Sequence, residues 1–280
     1  MATKNGVHYL DPRLLRSVVK VVVVGAGGSG SHVAASLAVL HQSMIDLGHP
    51  EGLEVTLIDD DAVSEANVGR ARFYASDIGQ NKAYVLANRI NACHGQSFRA
   101  INARLDAKAG AAQVIREADI LIGCVDTRAS RRAIHKALQG RNHYKSCYWL
   151  DLGNGSFDGQ CLLGEVGTGE GLLPCVTALY PEILDAKNDP KDDGPSCSRA
   201  EALTKQSAFV NASAALHAVS MLSVLFSQGQ IEHCGVFFNL RTGRSSTLPC
   251  QPDAWERLAG APVPLKAVKS RRGTGATVVG

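Results

Sequence analysis

Four consecutive valines followed by a glycine-rich turn constrain the fold of this chain more than any other segment. The stretch Val21–Gly30 reads VVVVGAGGSG, and apolar side chains then recur with helical periodicity over Ser31–Met44. A buried strand that leads through a tight turn into a helix is typical of nucleotide-binding folds, because the first N–H groups of the helix face a bound phosphate. The pattern GxGGxG is formed by Gly25, Gly27, Gly28 and Gly30. We therefore predict that a nucleotide phosphate binds at this turn.

Strand and helix patterns alternate along the first half of the chain. The predicted strands are Val18–Val24, Val55–Asp59, Phe98–Asn102, Ile120–Val125 and Tyr148–Leu152. The predicted helices are Ser31–Met44, Gly79–Ala92, Ala107–Ala118 and Ser130–Gln139. This order predicts an α/β fold, with a Rossmann-like, mostly parallel sheet and helices on both faces.

The second half departs from this alternation. Its predicted elements are a strand at Cys161–Val166, a polar stretch at Gly167–Ser196, an apolar helix at Arg199–Phe226, and a hairpin of Val236–Leu240 and Ser245–Leu248. We therefore predict one domain over residues 1–257, in which C-terminal antiparallel strands extend the sheet and a crossover-type loop spans about residues 167–198. The last segment, Leu258–Gly280, is rich in Ala, Gly, Pro, Lys and Arg and is predicted to be a flexible basic tail.

Composition limits the location and the partners. The net charge of +3 over 280 residues is too small to argue for nucleic acid or an anionic membrane. No stretch approaches the ~18 apolar residues of a membrane span, and the start MATKNG lacks the apolar core of a signal peptide. Eight cysteines without a secretion signal indicate free thiols in a reducing compartment. We expect a cytoplasmic protein that binds neither nucleic acid nor membranes.

Acidic residues follow the second predicted strand. Asp59 is placed to accept hydrogen bonds from both hydroxyls of a ribose. It lies further from Gly25 than the usual ~20 residues, because a polar insert around His41–Gly52 lengthens the connection. The alternative is that Asp59–Asp61 form a solvated turn.

The polar residues beyond this strand resemble those of a known family. They are, in order, Asp59, Asp61, Val63, Asn67, Arg70, Gly79 and Lys82, followed by Asp126 and Arg131 in the segment DILIGCVDTRASRR. Their order and spacing resemble the ThiF/MoeB-type ubiquitin-activating superfamily. The sequences HCGVFFNLRTGR and SCSRAEALTKQSAFVN further resemble the ThiF-like proteins of bacterial PRTRC plasmid cassettes.

This resemblance implies an enzyme that uses ATP and Mg²⁺ to adenylate the C-terminal carboxylate of a ubiquitin-like or sulfur-carrier protein. In such an enzyme Arg70 and Lys82 neutralise phosphate charge and Asn67 binds phosphate oxygens. Asp59 and Asp61 contact the nucleotide, and Asp126 holds the metal ion. The resemblance also implies a homodimer, in which an N-terminal arginine, Arg13 or Arg16, reaches the nucleotide of the partner subunit.

The chain departs from the family pattern at several positions. Ala71 and Thr127 stand where relatives usually have glutamine and asparagine. The paired CxxC motifs of the zinc-binding relatives are absent, so zinc is not expected. The cysteines that could have formed such a site are Cys175, Cys197, Cys234 and Cys250, and none lies two residues from another.

Cys197 is the candidate nucleophile. Ser198 and Glu201 form a capping box, so we predict that a helix begins immediately after this cysteine. A thiol beside a helix N-terminus, with Arg199 near, tends to have a lowered pKa. The alternative is an ordinary exposed cysteine. Two alternatives for the whole chain also stay open, namely an NAD-dependent oxidoreductase and a catalytically inactive dimeric scaffold with the same fold.

Overall fold

The structure is a computed structural model that describes residues 5–105, 109–141, 146–167, 172–189 and 206–263. The strands are β1 His8–Tyr9, β2 Val19–Val24, β3 Leu53–Ile58, β4 Arg99–Ile101, β5 Ile120–Gly123, β6 Cys147–Asn154, β7 Asp158–Val166, β8 Gln230–Ile231, β9 His233–Asn239 and β10 Arg244–Pro249. The helices are α1 Gly28–Asp46, α2 Lys82–His94, α3 Ala109–Glu117, α4 Arg128–Gln139, α5 Val176–Leu179, α6 Val210–Gln228 and α7 Pro252–Ala259. Short 3-10 helices occupy Pro12–Leu15, Glu65–Asn67, Ala75–Asp77, Pro181–Leu184 and Ala186–Asn188.

Eight strands form the central sheet in the order β10-β9-β7-β6-β5-β2-β3-β4. The strands β4, β3, β2, β5 and β6 are parallel, whereas β7, β9 and β10 pair antiparallel. The chain builds outward from β2 in one direction through β3 and β4, and in the other through β5 and β6. The predicted α/β fold is therefore confirmed, and the point of reversal lies between the carboxyl ends of β2 and β5, where ligands bind in such sheets.

Helices cover both faces of this sheet. Parallel strands are joined by right-handed crossovers, so connections that build the sheet in opposite directions place their helices on opposite faces. Accordingly α1 packs against α2 and α6, while α3 packs against α4. The core between these layers is aliphatic, with Val23, Leu57 and Leu121 each at most 1% exposed.

Helix α6 is long and apolar, and by length and composition it is the only described helix that could cross a membrane. In this fold it packs against α1, β6 and β7, and 56% of its apolar window is buried inside the protein. The sequence prediction began this helix at Arg199. The described part of that range, residues 206–209, forms a turn instead, and the helix begins at Val210.

The folded part of the chain extends beyond the predicted boundary at residue 257. Helix α7 ends at Ala259, and Gly260 follows in the left-handed conformation that commonly terminates helices. Trp255 and Val263 are both buried. The first residues of the predicted tail therefore belong to the packed structure, because Leu258, Ala259 and Val263 pack against the core. The rest of that tail lies outside the described residues.

A buried polar cluster anchors the N-terminal segment. Strand β1 pairs with β8, and the fully buried His8 ring lies 2.7 Å from the Tyr148 hydroxyl through Nε2 and 3.7 Å from a Glu165 oxygen through Nδ1. Burial lowers the pKa of His8 to about 4 and raises the pKa of Glu165 to about 7. Burial therefore disfavours the charged forms of both His8 and Glu165 in the folded protein.

Candidate nucleotide-binding site

The glycine turn lies at the carboxyl end of β2, where two of its glycines are required by close packing. Gly25 has φ +87°, and a Cβ there would lie 2.6 Å from the carbonyl oxygen of Cys124. A Cβ at Gly30 would overlap the carbonyl oxygen of Gly25. These positions bring the backbone segments after β2 and β5 into contact and leave no room for a side chain.

The other two glycines face different surroundings. Gly27 caps the N-terminus of α1, and a Cβ there would meet no atom within 4 Å. Gly28 begins the helix, and a Cβ there would lie 2.7 Å from the side-chain amide of Asn211. The open space at Gly27 is the place where a ligand could approach the first turn of α1 most closely.

Asp59 follows β3 and holds the glycine turn. One of its oxygens accepts a 2.5 Å hydrogen bond from the Ala26 N–H, and the other accepts from the Asp61 N–H at 2.9 Å. Burial raises the pKa of the Asp59 carboxyl, and the nearby Lys82 charge opposes that rise. Asp59, the residue predicted to bind the ribose, thus lies beside the turn, and two backbone N–H donors fix the orientation of its carboxylate.

The three residues predicted to bind phosphate lie on the segments that follow β3; they are Lys82, Asn67 and Arg70. Lys82 begins α2, and its Nζ donates a 2.8 Å hydrogen bond to Asp61. Asn67 is buried, and its Oδ1 accepts from the Ser64 N–H at 2.9 Å, so that oxygen caps a local turn. Arg70 is half-buried, and its pKa is lowered by burial and partly restored by the Asp126 charge.

Asp126 follows β5, the strand that pairs with β2 and so ends beside the glycine turn. Its side chain is exposed, and its charge interacts with Arg70, so the structure brings these two predicted residues together. The next residue, Thr127, departs from the family pattern and caps α4, with Oγ1 accepting from the Ser130 N–H at 3.1 Å. An exposed carboxylate has the donor chemistry that Mg²⁺ prefers.

The predicted N-terminal arginines lie at the other end of the strands. Arg13 donates from Nη1 to Asp119 at 2.9 Å, and Asp119 precedes β5 at its amino end. Arg16 is exposed and ends the short helix Pro12–Leu15. Within this chain neither arginine is at the glycine turn. The predicted contact with a nucleotide would therefore have to be made with the nucleotide of a partner subunit.

Two polar groups near the turn were not predicted from sequence. Asp151 on β6 is 1% exposed and accepts from Arg131 Nε at 3.0 Å, and burial raises its pKa to about 6. The second group connects Gln206, Asn211, Asn154 and Ser29 by hydrogen bonds. No local periodicity links these four positions. The only available signal was the pair of amides in QSAFVN just before an apolar helix.

Of the four cysteines considered above for a zinc site, the structure describes three. Cys197 lies outside the described residues, as do Ser198 and Glu201. Cys175, Cys234 and Cys250 are buried free thiols, and burial raises the pKa of Cys175. In the described ranges, the one group of three metal-ligand side chains whose donor atoms converge is Asp59, Asp60 and Asp61.

Comparison with known proteins places the chain in a family. The sequence model described as "ThiF family" matches residues 10–254. The chain belongs to the ThiF family. No match was found among curated proteins.

Solved structures share the fold of this ThiF-family protein. E. coli MccB with ATP matches with a TM-score of 0.58 and 18% identity over 84% of this chain and 64% of that one. E. coli MccB with AMPCPP and MccA matches with a TM-score of 0.55 and 17% identity over 83% and 64%. PaaA matches with a TM-score of 0.57 and 16% identity over 83% and 73%. The chain thus spans 64% of the length of the MccB structures it matches, and at these identities the similarity concerns the fold.

Proposed function

We propose that this protein is an ATP-dependent adenylyltransferase that activates the C-terminal carboxylate of a ubiquitin-like or sulfur-carrier protein. The observation that carries this proposal is the convergence of the glycine turn, Arg70, Lys82 and Asp126 at one edge of the sheet in a ThiF-family chain. MccB, which shares the fold, has been solved with ATP and with MccA, and this supports ATP and a peptide or protein carboxylate as substrates. From the sequence resemblance we further propose that the chain is akin to the ThiF-like proteins of bacterial PRTRC plasmid cassettes.

The proposed reaction transfers AMP to the carrier. A carboxylate oxygen of the carrier attacks the α-phosphorus of ATP, the bond to the bridging oxygen of pyrophosphate breaks, and pyrophosphate leaves with the electron pair. Negative charge grows on the leaving phosphates, so fixed cations stabilise the transition state. Arg70 and Lys82 supply these cations, Asn67 can hydrogen-bond phosphate oxygens, and Asp59 orients the ribose.

Asp126 is the residue that would hold Mg²⁺. Its carboxylate is exposed and close enough to Arg70 for their charges to interact, so oxygen ligands and phosphate-binding cations share one crevice. A bound Mg²⁺ would neutralise part of the triphosphate charge. Asp61 instead pairs with Lys82 and holds that lysine at the start of α2.

The test is ATP–pyrophosphate exchange by the purified chain with the carrier encoded beside its gene. Lys82→Ala should lower exchange about a hundredfold, because losing one contact to developing charge costs ~3 kcal/mol in the barrier. Lys136→Ala, on the exposed side of α4, is the matched control. Exchange equal to wild type in Lys82→Ala would refute the role of that lysine. Absence of exchange in the wild type, with micromolar NAD binding by calorimetry, would favour the oxidoreductase instead.

We also propose that Cys197 captures the activated carrier as a thioester. Its thiolate would attack the acyl carbon of the acyl-adenylate, and AMP would leave. On a non-reducing gel with ATP and carrier, Cys197→Ala should lose a thiol-sensitive conjugate while pyrophosphate exchange continues. If the wild type forms no such conjugate, the protein stops at the adenylate and Cys197 is an ordinary thiol.

A cytoplasmic homodimer is the proposed form of the enzyme. Helix α6 carries no Asp, Glu, Lys or Arg, yet it exposes Leu216 and Val224, and the helix α1 on which it packs exposes Val39. Such an uncharged apolar surface fits pairing with a second copy. Leu216→Glu should convert a dimer to a monomer in sedimentation equilibrium, and an unchanged dimer would move the interface elsewhere.

A further inference from the structure

Gln206 connects the segment before α6 to the proposed nucleotide site. Its Oε1 accepts two hydrogen bonds, from Arg70 Nη1 at 2.9 Å and from Asn211 Nδ2 at 3.0 Å. Its Nε2 lies 3.4 Å from the carbonyl oxygen of Gly155, to which it donates. Two donors face the oxygen and one acceptor faces the nitrogen, so the orientation of the amide is defined.

Asn211 fixes the other side of this amide. It is 2% exposed, and its Oδ1 accepts from Ser29 Oγ at 3.0 Å and from Asn154 Nδ2 at 2.6 Å. Asn154 Nδ2 also donates to Ser29 Oγ at 3.0 Å. The network therefore ties Gln206 to the first turn of α1 and to the end of β6. Gln206 itself is half-buried, and the buried, hydrogen-bonded Asn211 holds its amide oxygen in place.

Arg70 is held at two of its guanidinium nitrogens. Nε donates to the carbonyl oxygen of Ala66 at 2.9 Å, and Nη1 donates to Gln206. Within the described ranges no residue accepts from Nη2, the nitrogen that is left for a ligand. A long side chain loses rotamer freedom when it binds a phosphate, and holding it beforehand removes that loss from the binding step.

We propose that Gln206 is a positioning residue for Arg70, which it holds through its amide oxygen so that the third guanidinium nitrogen faces the triphosphate. This inference rests on the proposed function, since it takes ATP as the ligand. Gln206 itself need not touch the nucleotide. It acts through Arg70, and Asn211 keeps it in place.

The test compares Gln206→Leu, Arg70→Ala and the double variant. Gln206→Leu keeps the size of the side chain and removes the acceptor, so kcat/KM for ATP in pyrophosphate exchange should fall about tenfold, as expected for one lost hydrogen bond to a charged group. In the Arg70→Ala background the same change should have no further effect, because the residue it acts through is gone. Gln228→Leu, at the exposed end of α6, is the matched control.

Each outcome separates the two claims. A wild type that neither binds ATP nor exchanges pyrophosphate overturns the proposed function itself. An active wild type with an unchanged kcat/KM in Gln206→Leu overturns the positioning role, and so does an equal effect of Gln206→Leu with and without Arg70. If Gln206→Leu does not fold, Gln206→Asn gives the same test with a polar side chain too short to keep both contacts. A lowered kcat/KM in Gln206→Leu, with no further loss in the Arg70→Ala background, supports the role.

Discussion

Gly30→Ala should destabilise the protein strongly, although alanine forms helices better than glycine. Gly30 is buried in the first turn of α1. An added Cβ would overlap the carbonyl oxygen of Gly25 and lie 2.9 Å from its carbonyl carbon. That backbone cannot move aside easily, because the Gly25 N–H donates to the carbonyl oxygen of Ile58 at 2.9 Å.

The size of the expected loss in the free energy of unfolding follows from two opposing effects. Alanine in a helix gains up to ~1 kcal/mol over glycine. Inserting a methyl group into a packed site typically costs ~1–3 kcal/mol when neighbouring side chains can adjust. Here the neighbours are backbone atoms, so we take the upper end of that cost, ~3 kcal/mol. The free energy of unfolding should therefore fall by about 2 kcal/mol in Gly30→Ala.

Gly110→Ala is the matched control, because it makes the same chemical change where there is room. Gly110 is an exposed residue of α3, and a Cβ there would meet no atom within 4 Å. This variant should gain roughly 0.5–1 kcal/mol. Urea unfolding followed by circular dichroism measures both changes, provided that the slope m stays constant. The steric argument fails if the two variants shift the midpoint in the same direction.

Two further predictions concern charge. Asp126→Ala should raise the Mg²⁺ concentration that gives half-maximal pyrophosphate exchange by roughly tenfold or more, while AMP still binds. The control is Asp253→Ala, at an exposed position, which should leave the Mg²⁺ titration unchanged. An unchanged titration in Asp126→Ala would mean that the ion is held elsewhere. Glu165 has its pKa raised to about 7 by burial, so its protonation stabilises the folded state as the pH falls through 7 towards 5, whereas His8, whose pKa burial lowers to about 4, destabilises it over the same range. Glu165→Gln should remove only the contribution of Glu165, so the difference in the free energy of unfolding between wild type and variant should change by ~3 kcal/mol between about pH 8 and pH 5; a difference that stays constant in urea unfolding over that range would contradict this assignment.

Sequence reasoning succeeded where the fold depends on repeated local patterns. The valine strand, the glycine turn and the alternation of strands with helices are periodic signals, and they located the central sheet and its site-forming edge. It missed β1 and β8, because strands of two residues contain no alternation. The eight-residue helix α7 was too short to distinguish from the composition of the following tail.

The candidate site was predictable only in part, for a different reason. Residues such as Arg70 and Lys82 follow a family spacing that can be read along the chain. The contact of Gln206 with Arg70 joins positions 136 residues apart, and nothing in either neighbourhood encodes it. Asn67 illustrates a local signal that was overlooked, because Ser64 three residues earlier forms a capping interaction with its Oδ1.

The late position of α6 in the chain has a consequence for how the protein is made. Synthesis proceeds from the N-terminus, so β2, α1 and the parallel strands leave the ribosome long before Val210–Gln228. Until that helix arrives, the surfaces of α1, β6 and β7 that it covers are exposed to water. The first two hundred residues are therefore not a separable folding unit, and a fragment that stops before Val210 should be captured by chaperones or aggregate. The nucleotide-binding half of this protein acquires its stability only when the last third of the chain has been translated.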